Sequence, residues 1–561
     1  MPLGPRGWRW GRVALIVCFG AIQIVLAISD TPTTDEPRHL RDGAVALDRG
    51  QLDVNPEHPP LVKLLSAMMI PPSTRKAGLL ASQAEDPLVA DARFAVRVNL
   101  TGMQLLLVRL PVIIFAVAGL VAFGALFVRR SQWSGFAAVA ILAGTPPFVA
   151  HSHYVTTDMA PLSLGLLSVW AGVALPVPSA AILGGLLFGL AAASKFSAPL
   201  ILPFVAAFFL LRGGWKSLAL FLAMSGLSLY AVESYASRGM TPAALEAMAE
   251  RAFVTGGLGG PAPPSPSLHA LALRVAHADV AVGSYWLGFS SVAHRSATAA
   301  AADMWMGRIV TGAQPLYPLV TLLVKNDSPL ILLFFVALVD SARRKVSLGR
   351  YGWLMLGAAG FYLALAARSS LHLGVRHLLP LVALMAASAT LALVESSRPV
   401  ALLSRALLVA HVLAACSIFP HYTSARNLPS RVLVPTDVAY DLSEDWGQDL
   451  GRFLRRERAP VSYVSFLTYR VPDWAGLFPL LRYDASSLDR VIADRVAINV
   501  LAASTKPGIP ESAKPILAAV EPHLAVLRTL RTDDYLVSAP EPTLMLFSKR
   551  PDVDNPSAQR R

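Results

Sequence analysis

The sequence is short of charge and nearly without cysteine. Of its 561 residues, 15% are charged against 54% hydrophobic, and the mean hydropathy is +0.52, which excludes an ordinary soluble globular chain. The two cysteines, Cys18 and Cys416, both lie within apolar runs, so a disulfide framework and a cysteine metal site are excluded too. Acids are scarcer than bases, 36 against 49, giving a net charge of +13. Such an excess can signal nucleic acid, but here the bases are scattered through short connections between apolar segments, where they orient helices. No clear small-x-small cleavage site follows the apolar run 13–29 behind Arg6, Arg9 and Arg12, so this run reads as an uncleaved first helix. What remains is an α-helical polytopic membrane protein.

A crossing helix needs about 20 mostly apolar residues, fewer where flanking residues snorkel, and by that rule about eleven spans are expected. They lie near 13–29, 104–128, 135–150, 157–175, 179–194, 197–211, 217–233, 316–339, 352–367, 377–395 and 402–419. With the N-terminus cytoplasmic, successive inner connections carry Arg129 and Arg130, then 175–179 without charge, then Arg212 and Lys216, then Arg343, Arg344, Lys345 and Arg350, then Arg398 and Arg405. Lys and Arg accumulate in such loops. An odd number of spans then leaves everything after Pro420 on the outer face.

The same parity gathers the distinctive polar residues on that face. They are Asp35, Glu36, Glu57, His58 and Lys63 in the first outer loop (30–103), His151, His153 and Asp158 at the head of the fourth span, Lys195 between the fifth and sixth, and Arg376 and His377 before the tenth. A long outer loop, 234–315, carries a Gly/Pro stretch and helical-looking pieces that read as surface or re-entrant helices. Past 420, alternating pieces such as VSYVSFL, RVAINVLAAS and TLMLFSKR suggest strands. Between Pro420 and these strands, Asp441 and Glu444 have capping-box spacing in a helix ending in an Arg cluster. The expected division is a membrane domain over 1–420, a small extracytoplasmic α/β domain over 421–550 and a disordered tail over 551–561.

Several of these residues have two readings by spacing alone. Asp35 and Glu36, adjacent on an irregular loop, point in different directions, so one can face a substrate as a general base while the other holds the loop or a metal; both solvated, or Glu36 paired with Arg38 or Arg41, is the plainer reading. Asp158 begins an apolar helix, where an acid reads as a cap, as a functional group, or as both at once. Lys195 interrupts an apolar run, so it is either a snorkelling anchor or, with Arg376, part of a phosphate clamp. Glu57, His151 and His153 allow a divalent metal without requiring one.

Taken in order, TDEPRHLRDG, NPEHPPLVK, HSHYVTTDMAP, SKFSAP, YPLVTLLVKNDSPLILL and RHLLP make the chain resemble the polyprenyl-phosphate-dependent membrane glycosyltransferases of the GT-C fold, of the glycosyltransferase family 39 kind. EDWGQDL looks like the DWGQ motif that follows the last membrane helix in many bacterial members. The resemblance implies inverting sugar transfer from a lipid-phosphate donor to an acceptor on the extracytoplasmic face of a bacterial-type inner membrane. It implies Asp35 as catalytic base, with Glu36 beside it and Asp158 as second acid. It implies a donor-phosphate or metal role for Glu57 and His58. Where a well-known relative has lysine this chain has His58, which turns attention to Lys63, Lys195 and Arg376 for the phosphate charge. No cofactor is required by this chemistry; the acceptor is a protein, a lipid or an envelope polymer. The rival expectation is a transporter or lipid flippase that forms no bond.

Overall fold

The computed structural model describes residues 4–433 except 53, 85–86, 254–273, 276, 299–301, 306–307, 346–348, 373 and 396–397, then 448–456 and five strands between 461 and 549. The protein is mostly helical. Helices α1 (Pro5–Ser29), α6 (Gly102–Val128), α7 (Gln132–Gly144), α8 (Pro146–Ala150), α9 (Met159–Ala174), α10 (Val177–Ala192) and α11 (Leu202–Ala236) coincide with apolar runs, as do Gly349–Arg368, Leu379–Glu395 and Arg398–Ile418 further on. Helix α6 packs against α1, α7 and α9, and α10 lies between α9 and α11. Their shared core includes Phe19, Leu26, Val108, Val112, Leu120, Ile141, Phe148 and Met159.

Every expected apolar segment therefore lies on a helix, but not every one is a span by length. Among the described residues five helices are long and apolar enough to cross a membrane, six if one bent pair counts as a single span. This makes the chain a multi-pass membrane protein. Three of the eleven expected runs fall on shorter helices, two share the Ala198–Ala236 stretch and one is the bent pair; of the shorter ones, α9 has 16 residues, roughly 24 Å at about 1.5 Å per residue, against a hydrocarbon layer of about 30 Å.

Two expected segments behave differently in detail. The runs 197–211 and 217–233 fall on α11, which is broken by non-helical backbone at Gly213 and Gly214, the latter at φ 68°. That left-handed angle is one glycine adopts without penalty. The run 316–339 is split into Tyr317–Lys325 and Ser328–Arg343, bent by 116°. The break follows from Asn326-Asp327-Ser328-Pro329: Asp327 is extended and its side chain accepts from Leu330 N–H, with proline in the first turn. This is a helix start written into what reads as a continuous span.

Outside the bundle core, α2 (Glu36–Arg49) and α3 (Leu61–Met68) lie against one another, followed by α4 (Pro72–Ala81) and α5 (Pro87–Arg97). A Cβ at Gly43 would overlap the Lys63 carbonyl, so glycine is what lets α2 and α3 approach. The long outer loop holds α12 (Pro242–Phe253), a helix at Val280–Thr298 and a hairpin of β1 (Ala302–Trp305) and β2 (Arg308–Thr311). Gly288 packs so tightly on Pro56 and Phe196 that a Cβ there would overlap both, which fastens the Val280–Thr298 helix over the first outer loop.

Near the C-terminus, β3 (Val461–Val464), β4 (Leu481–Arg482), β5 (Arg495–Asn499), β6 (Tyr535–Glu541) and β7 (Leu544–Lys549) form a mixed sheet in the order β4-β3-β5-β7-β6. Asp441, Glu444 and the 551–561 tail lie outside the described residues. Of the expected 441–458 helix, Leu450–Arg456 is described.

Candidate functional site

After α1 ends, the chain turns through Asp30–Thr34 and enters α2 at Asp35. The adjacent carboxylates then part company. Glu36 is sealed inside the protein against Arg109, with Arg109 Nε 2.8 Å from Oε1 and Nη2 2.6 Å from Oε2. It also accepts from Thr33 N–H at 2.7 Å and Val155 N–H at 2.8 Å. Both oxygens are thereby doubly occupied, and the expected pairing with Arg38 or Arg41 is replaced: those two hold Asp91. Burial pushes the Glu36 carboxyl up, but the Arg109 guanidinium and the hydrogen bonds bring it below its ordinary value.

Arg109 itself went unnoticed in the sequence, though a charged residue within the 104–128 run was the available signal. It also donates to the carbonyls of Ala27 (2.8 Å), Asp30 (3.2 Å) and Thr31 (2.9 Å). One buried ion pair thus ties together the end of α1, the start of α2, α6 and the loop before α9.

Asp35 faces the other way. Its Oδ2 lies 2.8 Å from Arg376 Nη1, and its side chain keeps 39% of its surface exposed where Arg376 keeps 13%. Burial raises the Asp35 carboxyl, but Arg376 draws it down again, leaving it below its ordinary value. One helical turn on, His39 is buried beside Asn55 and edge-on to His58, ring centres 5.1 Å apart. Burial holds His39 neutral, down to about 4.

Asp158 stands at the N-cap position of α9 but makes no side-chain cap bond. Instead it accepts from Lys195, and both are buried. Burial raises the Asp158 carboxyl, but Lys195 and then Arg376 hold it well below its ordinary value. Asp35 and Asp158 feel each other's charge, and Arg376 acts on both. His58 joins this group through Thr157, its Nδ1 3.1 Å from the hydroxyl, and burial holds it neutral. The residues brought together are therefore Asp35, Asp158, Lys195, Arg376, His58 and His39, with His151 acting electrostatically on Asp158.

Other expected site residues are committed elsewhere. Lys63 is buried against Asp42 and donates to the carbonyls of Asn55, at 2.9 Å, and His58, so it shapes the NPEH turn. Glu57 pairs with Arg295 on the Val280–Thr298 helix. His153 sits between Gln23 (2.9 Å) and Asp30 (3.2 Å). The metal set Glu57, His151 and His153 thus does not converge, and among the described residues no group of three His, Cys, Asp or Glu is arranged to hold a metal ion.

A second buried centre lies beside the site. Asp30 accepts from Tyr154 hydroxyl at 2.6 Å, from His153, and from Arg452 in the segment after the last bundle helix. Thr31 N–H donates to Gln448 O at 3.0 Å. Burial raises the Asp30 carboxyl, but His153 and Arg452 bring it to about 2.

No family model matches this sequence, and no curated protein matches it. Among solved structures, the chain is similar to ArnT from Cupriavidus metallidurans bound to undecaprenyl phosphate, with 12% identity, a TM-score of 0.45, and coverage of 97% of this chain and 99% of that one. It is also similar to the apo state of the same protein, with 12% identity, a TM-score of 0.31, and coverage of 96% and 97%.

Proposed function

We propose that this chain is an inverting glycosyltransferase of GT-C type, moving a sugar from a polyprenyl-phosphate sugar to an acceptor hydroxyl outside the cytoplasmic membrane. The observation that carries the reading is the meeting of Asp35–Arg376 with Asp158–Lys195. Two acids and two cations from four separate stretches act on one another, and one of the acids, Asp35, keeps 39% of its side-chain surface exposed. The ordered motifs of the sequence support the same reading.

The chemistry fits this set. An acceptor hydroxyl must lose a proton as it attacks the anomeric carbon, and Asp35 is the carboxylate with exposure to receive it. The leaving group is a phosphate already stable as an anion, so it needs cations and no proton donor. Arg376 offers a guanidinium fork and Lys195 a point charge. A glycosidase would need a second carboxyl group to protonate its leaving oxygen, whereas Asp158 is tied to Lys195 and held ionised. Asp158 in this scheme supports the acceptor and fixes Lys195; Glu36 is a positioning group; His58 is a neutral hydrogen-bonding group. Among the described residues Glu57, His151 and His153 do not gather into a metal-binding group.

In this reading the short helices join the long ones in about eleven passes through a locally thinned or protein-lined layer. The N-terminus is cytoplasmic, while the first loop and an α/β domain following the last helix lie outside.

The test is Asp35→Asn. The variant is expected to reach the membrane at normal levels and to lose transfer from a polyprenyl-phosphate donor, and near-normal turnover would overturn the assignment. Mass spectrometry of envelope glycans, lipids and glycoproteins with and without the chain identifies sugar and acceptor.

A further inference from the structure

We infer that the Val280–Thr298 helix is the positioning element of the proposed site, and that Arg295 is its positioning residue: by pairing with Glu57 it sets the turn that presents His58. This rests on the proposed function and goes beyond it by giving the long outer loop a part in assembling the site.

One face of that helix meets three stretches that carry site residues. Tyr285, Gly288, Phe289, Arg295 and Ser296 follow the three-and-four spacing that keeps residues on a single side of a helix. Near its start, Tyr285 hydroxyl donates to Ala192 carbonyl at 3.2 Å, and the Tyr285 and Phe289 rings stand edge-on to Phe196, with centres 5.0 and 6.1 Å away. Ala192 and Phe196 bracket Lys195 in the chain. In the middle of the helix, Gly288 lies against Pro56 carbonyl and the Phe196 ring with no room for a Cβ. At its end, Arg295 pairs with Glu57. There too the N–H and hydroxyl of Ser370 both donate to Ser296 carbonyl, at 2.9 and 2.7 Å, and the Ser296 and Ser369 hydroxyls lie 2.7 Å apart. Ser370 opens the stretch that leads to Arg376.

The NPEH turn is gripped from two sides. Lys63, buried, donates to the carbonyls of Asn55 and His58, while Arg295 holds the Glu57 side chain between them. His58 follows Glu57 directly, and its Nδ1 lies 3.1 Å from the hydroxyl of Thr157, the neighbour of Asp158. Arg295 thus acts on the site through the turn and contacts neither catalytic acid. On this assignment Glu57 is an anchor for the helix, where the sequence suggested a donor-phosphate or metal role.

The pair is suited to setting a geometry and contributes little to holding the protein folded. Its members keep 29% and 20% of their side-chain surfaces exposed, and a part-exposed ion pair adds little to global stability. The burial that fastens the helix comes from apolar side chains, Leu287 among them. Changing Arg295 therefore shifts the turn and leaves the fold in place.

The experiment is a charge-swap cycle on purified full-length protein in lipid nanodiscs, reading equilibrium binding of decaprenyl phosphate and the melting temperature. Arg295→Glu sets two carboxylates against each other and is expected to weaken binding about tenfold, with a melting temperature close to that of wild type. Glu57→Arg is expected to weaken it as well, and the two changes together to restore the pair and bring affinity back to within about threefold of wild type. A charge effect without positioning predicts that Glu57→Arg tightens binding of the anion, so tighter binding in that variant overturns the proposal. Unchanged affinity in Arg295→Glu, or losses that add in the swap, overturn it too. If a reversed charge fails to fold, Arg295→Gln and Glu57→Gln take its place: each is expected to weaken binding, and both together no more than either alone, whereas tighter binding in Glu57→Gln or additive losses overturn the proposal. Absence of decaprenyl-phosphate binding to wild-type protein refutes the proposed function instead, and this inference with it.

Discussion

Replacing Arg109 by methionine removes one half of the buried pair that organises the first outer loop. Methionine matches the length of the arginine stem but offers no donor. Glu36 would then keep backbone hydrogen bonds from Thr33 and Val155 yet lose both contacts to the guanidinium. The carbonyls of Ala27, Asp30 and Thr31 would lose their donor as well. Breaking a buried pair by deleting one partner costs about 3–5 kcal/mol, whereas replacing both partners by apolar groups is often neutral. Arg109→Met is accordingly expected to lower the melting temperature sharply in detergent, and Arg109→Met with Glu36→Leu to recover only the part due to the stranded carboxylate, because Thr33 and Val155 N–H then lose their acceptor and the three carbonyls still lack the guanidinium. The pH dependence has a definite sign. Glu36 is held below its ordinary value, so its stabilisation is complete above the unfolded value of about 4.3 and is lost as pH falls through the lower folded value. Wild type should therefore weaken on acidification below about pH 4, and the double variant should show less of that dependence. A single variant within about 1 kcal/mol of wild type would refute the idea that this pair ties the loop together.

Two further substitutions separate structural cations from catalytic ones. Lys63→Met leaves Asp42 buried without its partner and is expected to cost about 3–5 kcal/mol, while the folded fraction keeps its polyprenyl-phosphate affinity; a large affinity loss in well-folded protein would return Lys63 to the phosphate site. Arg452→Ala unties the segment after the last bundle helix from Asp30 and is expected to destabilise by about 3 kcal/mol, read as a lower melting temperature. An unchanged melt would show that this contact contributes nothing measurable.

The helices were legible because their signal is local: an apolar run is visible wherever it occurs, and all the expected segments lie on helices. Their interruptions were legible in principle too, since Asp327 capping Leu330 ahead of a proline is a local pattern, but hydropathy averages it away. The site was legible by residue type and less so by role. Asp35, Asp158, Lys195 and Arg376 were singled out and lie together. Lys63 and Glu36 were singled out for the same reason, unusual charge near a membrane, and turned out to be saturated by Asp42 and Arg109. The choice between these roles depends on partners 21 to 341 residues away in sequence, as with Lys63 and Asp42 within one loop or Arg376 and Asp35 across the chain. Spacing along one chain holds no record of such pairings.

The pairing of every acid with a cation at this site has its own physical cause. Charge near the hydrocarbon layer is costly unless balanced, and Asp35–Arg376 with Asp158–Lys195 sum to zero. In the proposed reaction a donor phosphodiester brings one negative charge into that balanced set. Transfer turns it into a phosphate monoester, which carries a second negative charge at neutral pH. The proton taken from the acceptor neutralises Asp35 in the same step, so the total charge held by the protein pocket does not change. What changes is its location, from Asp35 to the phosphate. The cations already paired with the two acids, Arg376 and Lys195, keep the set balanced on either side of the step.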